Sequence, residues 1–164
     1  MNLLAIETST EYCSLAVSRD DAVQSLRFAA AQRHGELVLE SARELIAGAG
    51  LQLADLDGIA FGHGPGSFTG LRIACGVTQG LALALGIPVK GISTLCALAE
   101  ECGSGKVIAC LDARMGEVYH AAYRRAPSPP DEERGGAWVE VLAPGLYRPQ
   151  SVPLVEGEGW AGCG

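Results

Sequence analysis

The amino-acid sequence predicts an α/β protein built from two related lobes. Along the 164-residue chain, apolar segments with the two-residue alternation of strands are interspersed with segments that have the period of amphipathic helices. The segment KVIACLDARMGEVYHAAY also repeats the layout of NLLAIETSTEYCSLAV: an apolar strand, an acidic residue, a short polar turn and a second strand. Hydrophobic residues make up 48% of the chain, which is enough for a packed core.

The first lobe is predicted to begin with three strands, followed by helices and strands in alternation. Helix 36–47 carries apolar residues at helical spacing, and Gly48 is expected to end it as a C-cap. Gly86 and Pro88 are expected to end helix 70–85, whose polar interruptions indicate a buried helix and not a membrane span. The predicted bounds are 3–6, 13–18, 23–29, 57–62 and 89–92 for strands, and 36–47, 70–85 and 94–102 for helices.

The second lobe is predicted to start where the pattern repeats, so that the chain divides into residues 1–104 and 105–164. Glu7 and Asp112 then occupy the same place, at the end of the first strand of each lobe. The segment APSPPDEERGG has the proline and charge content of a solvated loop. Two more strands are expected near 137–142 and 152–156, which leaves the second lobe with fewer elements than the first.

The acidic charge balance excludes some classes of function. The net charge is −7 and the pI is near 4.9, so another chain must supply the positive surface for any RNA contact. The start, MNLLAIETST, lacks the charged and apolar regions of a signal peptide. The six cysteines include no CxxC pair, which favours reduced thiols, no structural zinc site and a cytoplasmic location.

The sequence 62-GHGPGSFTGLRIA-74 places four glycines in nine residues between a strand and a helix. We call residues 62–70 the glycine loop. It lacks the lysine and hydroxyl that follow a P-loop, and Thr69 stands where a Rossmann fingerprint has its last glycine. A tight turn that caps the helix through Ser67 or Thr69 is the plainer interpretation. Weak binding of an anion or nucleotide stays open, with the candidate residues Glu7, Ser67, Thr69 and Asp112.

Helix 70–85 is predicted to have a smooth stripe, because Gly76, Gly80 and Ala84 are spaced four residues apart. Glycine inside a helix costs roughly 1 kcal/mol relative to alanine, so two glycines indicate the close approach of another helix. The sequence leaves open whether that helix belongs to the same chain or to a partner.

Three motifs together resemble the TsaB (YeaZ) family: AIETST at the start, GPGSFTGLRIA in the middle and LDARMGEVY in the second lobe. The resemblance covers residues 1–125 well; beyond them, VEGEG is similar to a degenerate glycine motif of the family. The resemblance implies an actin-like, ribonuclease-H-like fold with duplicated βββαβα lobes. Family members usually continue well past this length, which implies that the second lobe is truncated.

The resemblance also implies a function. Proteins of this family are non-catalytic dimerisation partners of a catalytic TsaD-like subunit. With a TsaE-like ATPase, they help to form N6-threonylcarbamoyladenosine beside the anticodon of tRNAs that read codons starting with A. The resemblance implies tRNA contact only through the complex, a homodimer in isolation, ATP or ADP with Mg at the partner interface, and no membrane. The implied interface residues are Leu37, Ser41, Leu45, Arg72, Gly76, Gly80 and Ala84.

No catalytic residue and no metal site are predicted. TsaD-like proteins hold their metal with His-x-x-x-His on the first helix, whereas here His34 is followed by Val38 at the second position. We therefore expect His34 to be a surface or capping residue. Asp112 and Arg114 are expected to form a local ion pair that contributes little if exposed.

Two other functions stay as alternatives. An ATP-dependent phosphotransferase of the same fold would use the amides of residues 64–70 with Glu7 and Asp112. A peptidase would use a serine nucleophile, but no histidine is predictably placed to act as its base. The serines that could be proposed for that role are Ser9, Ser14 and Ser67.

Overall fold

The computed structural model describes residues 1–20, 22–30, 33–127 and 136–164. The chain divides into two compact units, Met1–Ile92 and Ser93–Gly164. The predicted boundary lies after residue 104, which would put helix 94–102 in the first lobe. The structure groups this helix with the second unit. Most of the predicted loop APSPPDEERGG, residues 128–135, lies outside the described residues.

The first unit is a mixed five-stranded sheet with two long helices. Strands β1, β2 and β3 form an antiparallel meander, and β4 joins β1 in parallel, which gives the order β3-β2-β1-β4-β5. Every strand and helix predicted for this part of the chain is present, with ends that move by up to two residues. The elements are β1 (Asn2–Glu7), β2 (Tyr12–Arg19), β3 (Ala22–Ala29), α1 (His34–Gly48), β4 (Gly58–Gly64), α2 (Phe68–Leu85) and β5 (Val89–Ser93), with a 3-10 turn at Leu53–Asp55.

The core of the first unit lies between the sheet and the two helices. On β1, Leu4 and Ile6 are buried because alternate residues of a strand point to the same face. Helix α1 buries a stripe at four-residue spacing, from His34 through Val38 and Ala42 to Ile46. Helix α2 buries Gly70, Ala74 and Thr78 in the same way. The sheet and both helices therefore share one hydrophobic core.

The second unit repeats the plan of the first. Its sheet has the order β8-β7-β6-β9, in which β6, β7 and β8 form an antiparallel meander and β9 joins β6 in parallel. This is the order β3-β2-β1-β4 with each strand replaced by its counterpart, so the predicted duplication is confirmed. The elements are α3 (Thr94–Cys102), β6 (Lys106–Arg114), β7 (Glu117–Arg125), β8 (Trp138–Tyr147) and β9 (Ala161–Cys163), with a 3-10 turn at Pro149–Ser151.

Three local predictions were wrong. The segment 152–156 forms no strand, and the last strand is β9, which begins at Ala161. Gly48 is not the C-cap of α1 but its last residue. The left-handed residue that follows the helix is Gly50, with φ of 71°. Helix α2 is not a buried helix, because only three of its 18 residues are buried. Among the described residues, α2 alone is long and apolar enough to span a membrane by length and composition.

Two leucine-to-alanine variants can test which side chains belong to the core of the first unit. Leu4→Ala removes a fully buried side chain from β1 and is expected to lower the free energy of unfolding by about 2–5 kcal/mol. Leu83→Ala, at a position that is 87% exposed on α2, is expected to change it by less than about 0.5 kcal/mol. Urea unfolding followed by circular dichroism measures both, and equal losses would contradict this assignment of the core.

Candidate functional site

The glycine loop packs against the turn between β1 and β2, which we call the opening turn (residues 7–10). The backbone amide of Ser67 donates a hydrogen bond to the carbonyl of Ser9 at 2.7 Å. The buried hydroxyl of Thr8 donates to the carbonyl of Gly70, also at 2.7 Å. The two segments are therefore joined at Ser67 and at Gly70, and the start of α2 is fixed relative to the sheet.

Gly66 and Gly70 are required by this contact, and Gly62 lies beside the flexible side chain of Glu7. A Cβ atom at Gly70 would lie 1.8 Å from the carbonyl oxygen of Thr8, and one at Gly66 would lie 2.5 Å from the Cβ atom of Ser9. At Gly62, a Cβ atom would lie 1.9 Å from Oε2 of Glu7. The absence of side chains thus lets two backbone segments approach each other closely, which is a purely structural use of glycine.

The first turn of α2 is partly capped by its own chain. The hydroxyl of Ser67, the N-cap residue, accepts a hydrogen bond from the amide of Gly70 at 3.3 Å. This confirms the capping interpretation of Ser67. Thr69 is exposed, and the guanidinium of Arg72 stacks over the ring of Phe68 at 3.9 Å from its centre. The exposed end of the helix therefore presents a stacked aromatic and cationic pair.

Glu7 places a carboxylate in this junction. Its Oε1 accepts a hydrogen bond from the amide of Ser9 at 2.6 Å, and its Oε2 lies at the backbone of Gly62. A negative charge beside the start of a helix opposes the binding of a second anion there, although an empty helix N-terminus attracts anions. The local electrostatics therefore disfavour a phosphate held by the glycine loop alone.

The four residues predicted for anion or nucleotide binding are not all brought together. Glu7 and Ser67 each hydrogen-bond to the backbone of Ser9, Thr69 is exposed in the first turn of α2, and Asp112 belongs to the second unit. Asp112 accepts from the amide of Arg114 at 2.7 Å and from its guanidinium at 3.4 Å, and both side chains are exposed. The predicted local ion pair is confirmed, and exposed pairs of this kind contribute little stability.

The histidines do not form a metal site. His34 is only 7% exposed, and its Nε2 lies 3.2 Å from the carbonyl of Tyr12, so the predicted surface or capping role is corrected to a core contact between α1 and β2. His120 is buried in the second unit, where burial lowers the pKa of its imidazole. In the described parts of the chain, no three His, Cys, Asp or Glu side chains are grouped so that they could hold a metal ion.

The outer face of α2 carries a stripe that no described residue covers. We call Arg72, Gly76, Gly80 and Ala84 the α2 stripe; all four are exposed. A Cβ atom built at Gly76 or at Gly80 would meet no described atom within 4 Å. The sequence left open whether a helix of the same chain or of a partner packs on these glycines. Among the described residues, no helix of this chain does so.

Helix α1 contributes to the same side of the first unit. The Cβ position of Gly35 lies 3.9 Å from Cδ1 of Ile73 on α2, so the two helices pack side by side. The predicted interface residues Leu37, Ser41 and Leu45 are half-buried, and Leu45 packs on the core. Leu39, which is 43% exposed, was missed. It lies about 40° from Gly35 around the helix at 100° per residue, and that angular position was the available signal.

Comparison with known proteins identifies the family. A family model described as TsaD, tRNA N6-adenosine threonylcarbamoyltransferase, matches residues 28–136. The tRNA threonylcarbamoyladenosine biosynthesis protein TsaB of Haemophilus influenzae is 35% identical to the chain over 98% of the chain and 73% of that relative. This chain belongs to the TsaB (YeaZ) family. The TsaB protein of Escherichia coli is 37% identical over 93% of the chain, which spans 64% of that relative's length.

Solved structures of the TsaB family support the fold. The structure of YeaZ from Pseudomonas aeruginosa matches with a TM-score of 0.88 and 36% identity, over 99% of this chain and 75% of that one. The predicted α/β fold of the actin-like, ribonuclease-H-like type is therefore confirmed, together with the resemblance of the three motifs to the TsaB family.

The two groups of glycines should respond in opposite ways to alanine. Gly70→Ala is expected to lower the free energy of unfolding by at least about 2 kcal/mol, because the added methyl group meets the backbone of Thr8. Gly76→Ala, in open space on the same helix, is expected to raise it by up to about 1 kcal/mol, because alanine is the better helix former. Urea unfolding of both variants measures the contrast, and a neutral Gly70→Ala would overturn the structural role of the loop.

Proposed function

We propose that this chain is a non-catalytic subunit in the formation of N6-threonylcarbamoyladenosine, and that it pairs with a catalytic TsaD-like subunit through α1 and α2. The proposal rests on family membership and on one observation, the open glycines of the α2 stripe. The complex, and not this chain alone, would act on the adenosine beside the anticodon of tRNAs that read codons starting with A.

The α2 stripe supports the proposal through its energetic cost. Each glycine in a helix interior costs roughly 1 kcal/mol relative to alanine, and no described contact compensates Gly76 or Gly80. A partner helix that approaches the bare backbone closely would supply that compensation. Leu83 on α2 and Leu39 on α1 are exposed apolar side chains, which is the composition of an interface core more than that of a solvated helix face.

The contacts of the candidate chemical groups support a subunit without a reaction centre of its own. Ser67 is engaged as a helix cap and through its amide, and the carboxylate of Glu7 binds the opening turn. His34 binds the carbonyl of Tyr12 at the position where a TsaD-like metal ligand would begin its motif. In this proposal, these three candidate groups serve to hold the shape of the first unit.

Charge supports an indirect role with tRNA. The chain carries a net charge of −7, which opposes binding to a polyanion, so the partners would supply the phosphate contacts. We also propose that a TsaE-like ATPase joins the pair, that ATP or ADP with Mg binds only at the partner interface, and that two copies of this chain pair through the same helices when the partner is absent. The setting would be the cytoplasm.

Pairing can be tested with the α2 stripe. Gly76→Leu and Gly80→Leu are each expected to weaken binding to the TsaD-like subunit of the same organism by on the order of 100-fold, because the added side chain separates the helix backbones. Isothermal titration calorimetry with the purified subunits measures the affinity. The far-ultraviolet circular dichroism of each variant should match that of the unchanged chain, since both positions open onto free space.

Gly105→Leu is the matched control, because Gly105 is exposed, has open space around its Cβ position and lies in the second unit. This control variant should retain full affinity. Unchanged binding in both α2 variants would rule out the α2 stripe as the interface, whereas equal losses in all three variants would show an effect that is not local to α2.

Nucleotide binding separates this proposal from a phosphotransferase. The chain alone is expected to bind Mg-ATP more weakly than about 1 mM, because the glycine loop is occupied by the opening turn and Glu7 adds negative charge. Calorimetric titration of the chain and of Glu7→Gln tests this expectation. Micromolar binding that is lost in Glu7→Gln would support the phosphotransferase and count against the scaffold.

A further inference from the structure

We propose that Cys102 and Cys163 form an intramolecular disulfide when the protein is exposed to peroxide, and that this bond fastens β9 to the end of α3. All six cysteines are free thiols in the structure, so the disulfide is an oxidised state of a reduced pair. This proposal concerns the second unit alone and does not depend on the proposed scaffold function.

Sheet register places Cys163 on the side of α3. In the parallel pair of β6 and β9, Cys163 is the partner of Ala109, and neighbouring residues in a ladder share a face of the sheet. Ala109 is fully buried in the cluster that the helix covers with Leu95 and Ala99. Cys163 packs against that same cluster, so its thiol points toward α3 and not toward the other face.

Cys102 meets Cys163 from the helix side. It is the last residue of α3, a helix in direct contact with β9, and it packs on the same cluster as Cys163. Both side chains are only half-buried, which leaves the pair accessible to a small oxidant. A disulfide needs Cα atoms within about 7 Å of each other, which a helix end and a strand that pack on the same cluster can reach.

The other cysteines of this unit are placed less favourably. Cys110 follows Ala109 on β6, so its side chain points to the opposite face of the sheet from Cys163. Cys96 lies near the other end of α3, where it interacts electrostatically with Tyr123 of β7, two strands away from β9. These two residues are therefore natural controls for the specificity of the bond.

The chemistry balances with hydrogen peroxide as the oxidant. The Cys102 thiolate attacks one peroxide oxygen, the O–O bond breaks, and the leaving hydroxide is protonated to water, which gives a sulfenic acid on Cys102. The sulfur of Cys163 then attacks that sulfenic sulfur, loses its proton and displaces the hydroxyl group as a second water. Two thiols are oxidised to one disulfide while one peroxide is reduced to two waters.

The order of attack follows from the environment of Cys163. Burial, with the neighbouring Cys102 and Cys110 thiols, raises the pKa of Cys163 to about 11, so this thiol stays protonated at neutral pH. We therefore assign Cys163 as the resolving thiol in this proposal.

Peptide mapping of the full chain tests the proposal. The chain is treated with a molar excess of hydrogen peroxide, its remaining thiols are alkylated, and it is digested with trypsin and a glutamate-specific protease under non-reducing conditions. This digestion separates all four cysteines of the second unit, which fall in residues 91–100, 102–106, 107–114 and 159–164. The expected product joins residues 102–106 to residues 159–164 and disappears after reduction.

The variants Cys96→Ser and Cys110→Ser are expected to keep the cross-link, whereas Cys102→Ser and Cys163→Ser should lose it. Amide hydrogen exchange in residues 161–163 should slow by about tenfold or more in the oxidised chain, because the bond limits opening of β9. Absence of any cross-link, a cross-link to Cys110 or Cys96, or a bond only between two chains would each overturn the proposal.

Discussion

The close contact between the opening turn and the glycine loop positions the rest of the first unit. At this contact the hydroxyl of Thr8 donates a buried hydrogen bond to the carbonyl of Gly70, and no atom larger than hydrogen fits between Gly70 and the carbonyl of Thr8. The contact fixes where α2 begins. The direction of α2, its buried stripe and its exposed stripe all follow from that starting point, because a helix turns by a constant 100° per residue.

The glycines of this short region have two different physical roles, although they look alike in the sequence. Gly66 and Gly70 are needed because backbone approaches backbone within the chain. Gly76 and Gly80 have open space around them, so nothing within the described chain requires them to be glycine. Glycines of the first kind contribute to the stability of the folded chain, and glycines of the second kind indicate a partner.

Periodicity was enough to predict the elements of the first unit, because its strands and helices alternate apolar and polar residues cleanly. Contacts between distant segments were not predictable from the pattern. His34 was expected near the surface, but the carbonyl of Tyr12, 22 residues away in sequence, accommodates it in the core. The capping role of Ser67 was predicted because a helix cap depends only on neighbouring residues. The position of Glu7 beside Gly62 depends on the pairing of β1 with β4, which the pattern does not show. The segment 152–156 has the composition of a strand but pairs with no neighbour.

The strand order has a consequence for the sequence of folding events. In both sheets the meander, β1 to β3 or β6 to β8, pairs neighbours along the chain, whereas β4 and β9 must cross a long connection to reach β1 and β6. Closing a short connection costs less entropy than closing a long one, so we expect the meanders to form before the parallel strands complete each sheet. The glycine loop begins in the last residues of β4 and ends in the first turn of α2. The exposed face of α2 therefore takes its final position among the last parts of the first unit, after the surface beneath it is already built.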